Sequence, residues 1–158
     1  MTNQIPRARI SHKSTEVTAV KIVIIDGNGG RMGKLIIEQL KRVHPETELT
    51  AVGTNSIATS VMVKAGADVG ATGENAIVVA CRRADVIVGP IGIVIADSLH
   101  GEITPEMAKA AGQSEADKVL VPVNRCNHHI VGLGDISLSE LVRQACDYVC
   151  ALIESRKP

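Results

Sequence analysis

The stretch KIVIIDGNGGRMGKLIIEQL, residues 21–40, joins an apolar run to a glycine-rich turn and then to a segment with helical spacing. The apolar run predicts a buried strand, and the spacing from Lys34 to Leu40 predicts a helix. Glycines allow the backbone to turn tightly and to approach a ligand, and the N–H groups at a helix start favour an anion. The stretch therefore predicts a strand, a phosphate-binding turn and the first turn of a helix.

The rest of the chain alternates in the same way between strand-like and helix-like segments. Strands are predicted at residues 20–26, 48–53, 85–89, 118–123 and, as a short one, 129–132. Helices are predicted at residues 30–43, 57–65, 75–83, 91–98, 104–112 and 137–154. This order predicts a three-layer α/β/α sandwich with a mainly parallel, Rossmann-like sheet. Residues 1–18 are polar, and we expect them to be a flexible leader before a single domain of residues 19–158.

Composition argues against several function classes. The 17 Lys and Arg residues balance 17 Asp and Glu residues, so no net basic field attracts nucleic acid or anionic lipid. The only aromatic residue is Tyr148, which leaves no platform for stacking bases. The apolar runs are too short to span a bilayer, and the amino terminus lacks a signal-peptide pattern. We expect a cytoplasmic protein without nucleic-acid or membrane partners, and cysteines without CxxC spacing predict no disulfide framework.

Small, polar and helix-capping residues follow four of the predicted strands, and the loop ATGEN at residues 71–75 carries similar residues. Ligands of open parallel sheets bind outside the carboxyl ends of the strands, where these loops converge. Such residues are also ordinary in turns and caps, so a single loop would not indicate a site. Five loops at one edge favour a site for a small phosphorylated ligand. The candidate cofactor-binding residues are Asp26, Gly27, Asn28, Gly29, Gly30, Arg31, Met32, Gly33, Thr54, Asn55, Ser56, Pro90, Gly92 and Asn124.

The segment IDGNGGRMG, residues 25–33, resembles the dinucleotide-binding start of dihydrodipicolinate reductases. The resemblance implies NADP or NAD as a cofactor that binds at the glycines. No acidic residue closes the second strand to accept a ribose hydroxyl. Thr54, Asn55 and Ser56 could instead bind a 2′-phosphate or another phosphorylated compound, with a charged contact from Arg31. We therefore expect NADP to fit more easily than NAD.

Two further resemblances cover most of the chain. One is to methylglyoxal synthase-like domains, through the order of the blocks GTNS, TGEN, GP and VPVN. It implies Thr54 and Ser56 as phosphate ligands and Glu74 as the carboxylate that moves protons. The other is to a family of short bacterial proteins of unknown function, through blocks resembling GTNSIATS, ATGENAIV, GPIGI and NRCN. That resemblance implies no activity.

Two residues are candidates for catalysis, and each also has a structural interpretation. Glu74 could be a general base, or it could cap the helix that follows it. Cys126 could be a nucleophile whose thiolate is favoured by Arg125 and nearby histidines, or it could be a buried thiol. Cys126 with His128 and His129 forms a group too small to match the zinc patterns, so no metal site is assigned.

Two other carboxylates have structural explanations that compete with a role in binding. Asp26 would repel a phosphate unless it binds a ribose hydroxyl, a metal ion or Arg31, and a structural role explains it equally well. Glu102 precedes a helix that Thr104 is expected to cap, with Pro105 at the first helical position. We interpret Glu102 as a charge that complements the helix dipole.

Three functions remain open on the sequence. The first is a nucleotide- or NAD(P)-binding protein, either a small oxidoreductase or a redox sensor, and this is the one we expect. The second is a methylglyoxal synthase-like enzyme or regulator that acts on a small phosphorylated metabolite. The third is a noncatalytic assembly subunit. Because single-domain reductases usually complete their active site with a second subunit or an added segment, we also expect a homo-oligomer.

Overall fold

The computed structural model describes residues 19–123 and 128–156, and its centre is a five-stranded parallel sheet. The strands are β1 (Ile22–Asp26), β2 (Leu49–Gly53), β3 (Val69–Thr72), β4 (Val86–Pro90) and β5 (Asp117–Val121). They lie in the order β3-β2-β1-β4-β5, and each neighbouring pair is parallel. The predicted α/β class with a parallel, Rossmann-like sheet is confirmed.

Helices cover both faces of the sheet. They are α1 (Arg31–Val43), α2 (Ser56–Lys64), α3 (Glu74–Arg83), α4 (Pro105–Gln113) and α5 (Leu138–Ser155). Alternate residues of β1 point to opposite faces, because side chains along a strand have a period of two. Ile22 and Ile24 pack with α1, α2 and α5, whereas Val23 and Ile25 pack with α3 and α4. This double burial explains why β1 is apolar at all four positions before Asp26.

The core consists of aliphatic side chains, as the composition requires. Ile24, Ile36, Ile37 and Leu49 are fully buried. Burial of each such side chain contributes roughly 1.5–3 kcal/mol relative to exposure, so tight aliphatic packing can replace aromatic residues here. None of the helices in the described part of the chain is both long and apolar enough to span a membrane.

Three sequence predictions about secondary structure were wrong or incomplete. Strand β3 was missed, because its residues VGAT are short, partly glycine and mostly exposed at the edge of the sheet. The helix predicted at 91–98 is only a 3-10 turn at Ile91–Val94, after which the chain continues in turns. No strand forms at 129–132 among the described residues, which run there as loop and turn.

The order of the strands creates a switch point between β1 and β4. From β1 the chain proceeds outward to β2 and β3, and it then crosses back to β4 on the other side of β1. The loops that leave the carboxyl ends of β1 and β4 begin on either side of this switch point. In open α/β sheets the edge at a switch point is the usual place for a ligand.

Candidate functional site

The switch point brings together three segments that are distant in the sequence. The glycine turn (residues 27–30) follows β1 and leads into α1. The Thr54-Asn55 pair follows β2, which lies beside β1 in the sheet. The cap segment (residues 95–104) connects the 3-10 turn after β4 to α4. We take their meeting point as the candidate site.

Asp26, the last residue of β1, directs its carboxylate into the protein. Asp26 is only 5% exposed. Its carboxylate accepts hydrogen bonds from the amides of Gly27 at 2.8 Å and Gly33 at 2.7 Å. Burial raises the pKa of Asp26, against the lowering effect of hydrogen bonds from the Gly33, Gly27 and Met32 amides. The negative charge of nearby Glu102 adds to the increase. Asp26 therefore ties the end of β1 to the first turn of α1.

The amides of the glycine turn differ in whether they have an acceptor. The Asn28 amide donates to Glu102 Oε2 at 2.8 Å, and the Gly30 amide donates to a carbonyl of the same turn at 2.9 Å. The amides of Gly29 and Arg31 make no hydrogen bond with any residue that the structure describes. Two N–H groups at the start of α1 are thus left for an external acceptor.

Packing requires two of the glycines near this turn but not Gly29. A Cβ at Gly30, where φ is +70°, would lie 2.8 Å from the backbone of Ala58. A Cβ at Gly33 would lie 2.3 Å from the sulfur of Met62, which is fully buried. A Cβ at Gly29 would have no atom within 4 Å, and its φ is not positive. The fold therefore does not explain the glycine at position 29.

Glu102 of the cap segment connects all three segments. Its Oε2 atom accepts hydrogen bonds from the Asn28 amide at 2.8 Å, from Asn55 Nδ2 at 3.0 Å and from the Thr54 hydroxyl. Burial acts to raise the pKa of Glu102, but the hydrogen bonds from Thr54, Asn28 and Asn55 and the charge of His100 lower it overall. The carboxylate is thus held ionised beside the glycine turn.

The sequence interpretation of Glu102 as a helix-dipole residue missed these contacts. Thr54 and Glu102 are 48 residues apart in the chain, and no local pattern could pair them. This contact restricts one position of the glycine turn. A Cβ at Gly27 would lie 2.7 Å from Glu102 Oε2 and 2.7 Å from Thr54 Oγ1. A glycine is needed there because the carboxylate sits against the turn.

The three polar residues after β2 have different roles. Thr54 donates to Glu102 as described, and the Asn55 side chain donates both to Glu102 and to the Asn28 carbonyl, the latter at 2.9 Å. The Asn55 side-chain oxygen also accepts from the Ala58 amide at 2.9 Å, which makes it the N-cap of α2. Ser56 is the exposed first residue of that helix.

Pro90 and Gly92 are buried under the cap segment at the switch point. Pro90 ends β4, and Gly92 lies in the 3-10 turn that follows. A Cβ at Gly92 would lie 2.9 Å from Ser98 Oγ, whose hydroxyl donates to the Gly92 carbonyl. Both residues are buried, so neither presents much surface to a ligand.

Two of the predicted loop residues, Arg31 and Met32, belong to the first turn of α1. The Arg31 side chain is exposed, whereas Met32 packs against the core. Arg31 is therefore the candidate that could place a positive charge next to the unsatisfied amides.

Glu74 begins α3, and its carboxylate accepts a hydrogen bond from the Thr104 hydroxyl at 2.6 Å. Thr104 is also the N-cap of α4, with Pro105 at the first helical position, as predicted. Glu74 therefore joins the starts of α3 and α4 at the same edge of the sheet. Asn124 and Cys126 lie outside the described residues.

Two described cysteines are unsuited to nucleophilic chemistry. Burial raises the pKa of the Cys81 thiol to about 11 and that of Cys146 to about 12, and neither forms a disulfide. Both thiols remain protonated at neutral pH, as expected for core residues. Across residues 19–123 and 128–156, no three His, Cys, Asp or Glu side chains are grouped closely enough to hold a metal ion.

Comparison with known proteins identifies a family but no relative of established function. No curated protein and no solved structure gives a significant match to this chain. The resemblances to dihydrodipicolinate reductases and to methylglyoxal synthase-like domains therefore stay predictions. The profile of one family matches residues 21–154, which include all five strands and nearly all of the last helix. The chain belongs to this family, the domain of unknown function DUF3842, in agreement with the expected membership of a family without assigned activity.

Proposed function

We propose that the protein binds a small phosphorylated ligand, a nucleotide or dinucleotide, at the glycine turn. NADP and NAD are the first candidates. The observation that carries the proposal is the pair of amides at Gly29 and Arg31, which have no acceptor among the described residues. They lie at the amino terminus of α1, where the helix dipole favours a negative group.

The position of Gly29 supports the same proposal. Side chains are excluded at Gly30 and Gly33 by packing, but at Gly29 open space would accommodate a Cβ. A phosphate that approaches the backbone closely would use that space, which gives this glycine a purpose that the fold does not. The exposed Arg31 could then add a charge-assisted contact to the same group.

Two features limit how a phosphate can bind. The Asp26 carboxylate already accepts from the Gly33 amide, and the Glu102 carboxylate already accepts from the Asn28 amide. The ligand therefore has fewer backbone donors here than in an unobstructed dinucleotide-binding loop. We place its phosphate on the outer side of the turn, over Gly29 and Arg31, away from Asp26.

The reaction, if there is one, requires groups beyond the glycine turn. Glu74 and Cys126 remain our candidates for catalysis, within a small oxidoreductase or a redox sensor. The homo-oligomer and the cytoplasmic location are likewise proposals. Size-exclusion chromatography with light scattering tests the first of these directly, and a monomer at all concentrations would contradict it.

A thermal-shift series with NADH, NADPH, dihydroxyacetone phosphate and inorganic phosphate separates the functions. A ligand at 100 times its dissociation constant stabilises the folded state by about 2.7 kcal/mol, which corresponds to a shift of several degrees. Stabilisation by NADH or NADPH is expected. Stabilisation by dihydroxyacetone phosphate or phosphate alone would favour the methylglyoxal synthase-like function, and no shift with any of them would favour an assembly subunit.

The variant Gly29→Asp locates the ligand. It should abolish stabilisation by the nicotinamide nucleotide, because it places a carboxylate against the phosphate, and it should leave the fold intact. Gly112→Asp is the matched control, since that glycine near the end of α4 is also exposed and its Cβ would also meet nothing within 4 Å. Unchanged affinity in Gly29→Asp would contradict the proposed site.

A further inference from the structure

The Glu102 carboxylate has one oxygen occupied and one unoccupied. Oε2 receives all three hydrogen bonds, from Asn28, Thr54 and Asn55. Oε1 accepts no hydrogen bond from any residue that the structure describes. The residue is partly exposed, so the second oxygen remains an acceptor for a group from outside.

The carboxylate is also held firmly in position. Its donors come from the glycine turn and from the residues after β2, so its placement depends on two strands of the sheet. The cap segment that carries it is closed by backbone hydrogen bonds from Asp97 to Ile103 at 2.8 Å and from Ile103 to Ser98 at 3.2 Å. Glu102 is thus a fixed negative group against Gly27 and the Asn28 amide of the glycine turn.

The same contacts change what Thr54 and Asn55 can bind. The sequence predicts that their hydroxyl and amide groups bind a 2′-phosphate or another phosphorylated compound, but both groups donate to Glu102. A phosphate at this position would meet a carboxylate within contact distance and lose the donors meant for it. A hydroxyl group would instead find an acceptor, since an ionised carboxylate only accepts hydrogen bonds.

We infer that Glu102 determines ligand specificity at this site by accepting hydrogen bonds from unmodified sugar hydroxyls and by repelling a phosphate in their place. The inference rests on the proposed function, because it requires that a nucleotide phosphate lies over Gly29 and Arg31. Glu102, which lies in the connection between β4 and α4, then provides the acidic group that is absent at the end of β2. It therefore reverses the preference expected from the sequence and selects NAD over NADP.

Isothermal titration calorimetry with NADH and NADPH tests the inference on the wild-type protein and on Glu102→Gln. Gln keeps the shape of the side chain and one acceptor oxygen, but it carries no charge. The wild type should bind NADH at least about tenfold more tightly than NADPH, a ratio typical of a hydrogen bond to a charged group. In Glu102→Gln this preference should fall to about threefold or less, because NADH loses a charged acceptor and NADPH no longer meets a repelling carboxylate. Glu106→Gln, an exposed change in the first turn of α4, is the matched control and should keep the wild-type ratio.

Three smaller ligands test the inference without any variant. AMP should bind the wild-type protein more tightly than 2′-deoxy-AMP, which lacks a hydroxyl group, and more tightly than adenosine 2′,5′-bisphosphate, which carries the second phosphate. Equal affinity for all three would overturn the inference even if Glu102→Gln failed to fold.

The possible failures are distinguishable. If the wild type binds NADH and NADPH equally and Glu102→Gln changes neither affinity, the inference is wrong and the proposed function stands. Tighter binding of NADH by Glu102→Gln would also overturn it, because Glu102 would then be occupying the place of the ligand. If the wild type binds none of these nucleotides, the proposed function fails, and the inference fails with it.

Discussion

The inner side of the glycine turn, where Gly30 and Gly33 pack against α2, contrasts with its outer side, where Gly29 faces open space. On the inner side a single added carbon atom would collide with Ala58 or Met62. On the outer side the same atom would touch nothing. Gly30 and Gly33 are explained by the fold alone, whereas Gly29 is not and therefore carries information about a ligand. In a glycine-rich motif, the glycines that packing requires must therefore be set apart from the others before the motif supports a function.

Each side of the turn also has its own carboxylate, and the two are perturbed in opposite directions. Asp26 on the inner side is buried, which raises its pKa in spite of the amides that donate to it. Glu102 on the outer side is only partly buried, and its three donors lower its pKa. The Asp26 carboxylate binds amides of the glycine turn and of α1, whereas the Glu102 carboxylate keeps one charged oxygen available for a ligand.

The largest effect expected from this contrast is the loss of stability in Gly30→Ala. The substitution forces a left-handed backbone on a residue with a Cβ and presses that atom against the backbone of Ala58, which cannot move as a side chain could. We expect the free energy of unfolding to fall by about 2–4 kcal/mol. Urea denaturation measures it, and a loss no larger than that of Gly29→Ala would contradict the division into two sides.

A smaller loss is expected for Asn55→Ala. Asn55 caps α2 and also donates to Glu102 and to the Asn28 carbonyl, so the change removes a cap and two contacts with the outer side. Ser137→Ala is the matched control, because the Ser137 side chain caps α5 and makes only that one hydrogen bond in the described chain. We expect about 1 kcal/mol for Ser137→Ala and up to about 2 kcal/mol for Asn55→Ala in urea denaturation. Equal losses would mean that the cluster around Glu102 contributes nothing beyond the cap.

The opposite pKa shifts predict opposite dependences of stability on pH. The contribution of Asp26 is fully present below its ordinary pKa of 3.8 and is lost as the pH rises through its raised folded-state pKa. The contribution of Glu102 is present above its ordinary pKa of 4.5 and is lost as the pH falls through its lowered folded-state pKa.

Carboxyl carbon shifts followed by NMR during a pH titration measure both groups in the folded protein. Asp26 should titrate above its ordinary pKa and Glu102 below its own. The stability difference between the wild type and Glu102→Gln should also shrink as the solution is acidified. Titration of the two groups in the reverse order would contradict the proposed environments.

The smallest effects on stability are expected at glycines that packing does not require. Gly112→Ala removes a flexible residue from α4 at a position with open space, so it should stabilise the protein by roughly 0.5 kcal/mol. Gly29→Ala should change stability by less than about 0.5 kcal/mol, since it is a surface substitution without neighbours. Thermal unfolding in the absence of ligand measures both. A large loss in Gly29→Ala would show that the fold, and not a ligand, requires this glycine.

The sequence predicted the sheet well where strands are apolar throughout, as in β1 and β4, because burial on both faces leaves a continuous hydrophobic run. It missed β3, whose short and exposed residues carry no such pattern. The cap of α4 was predicted correctly because Thr104 and Pro105 are adjacent to the helix that they begin. Local chemistry therefore determines what can be predicted for single elements.

The candidate site could be predicted only in part for the same reason. The glycine turn is continuous in the chain, so its position before α1 follows from the sequence. The contact of Glu102 with Thr54 and Asn55 depends on β2 and the cap segment lying on either side of β1, which is a property of strand order. No spacing along the chain could indicate that a residue placed before α4 would reach the turn after β1.

An NMR titration of the uniformly ¹⁵N-labelled protein with NADH, monitored at the backbone amides, shows directly whether a phosphate binds at the glycine turn. We expect the resonances of Gly29 and Arg31 to shift until saturation, because their N–H groups gain an acceptor. The amide of Gly33, which already donates to Asp26, should move much less. If Gly29 and Arg31 stay unmoved at saturating NADH and NADPH, the outer side of the turn does not bind a nucleotide phosphate.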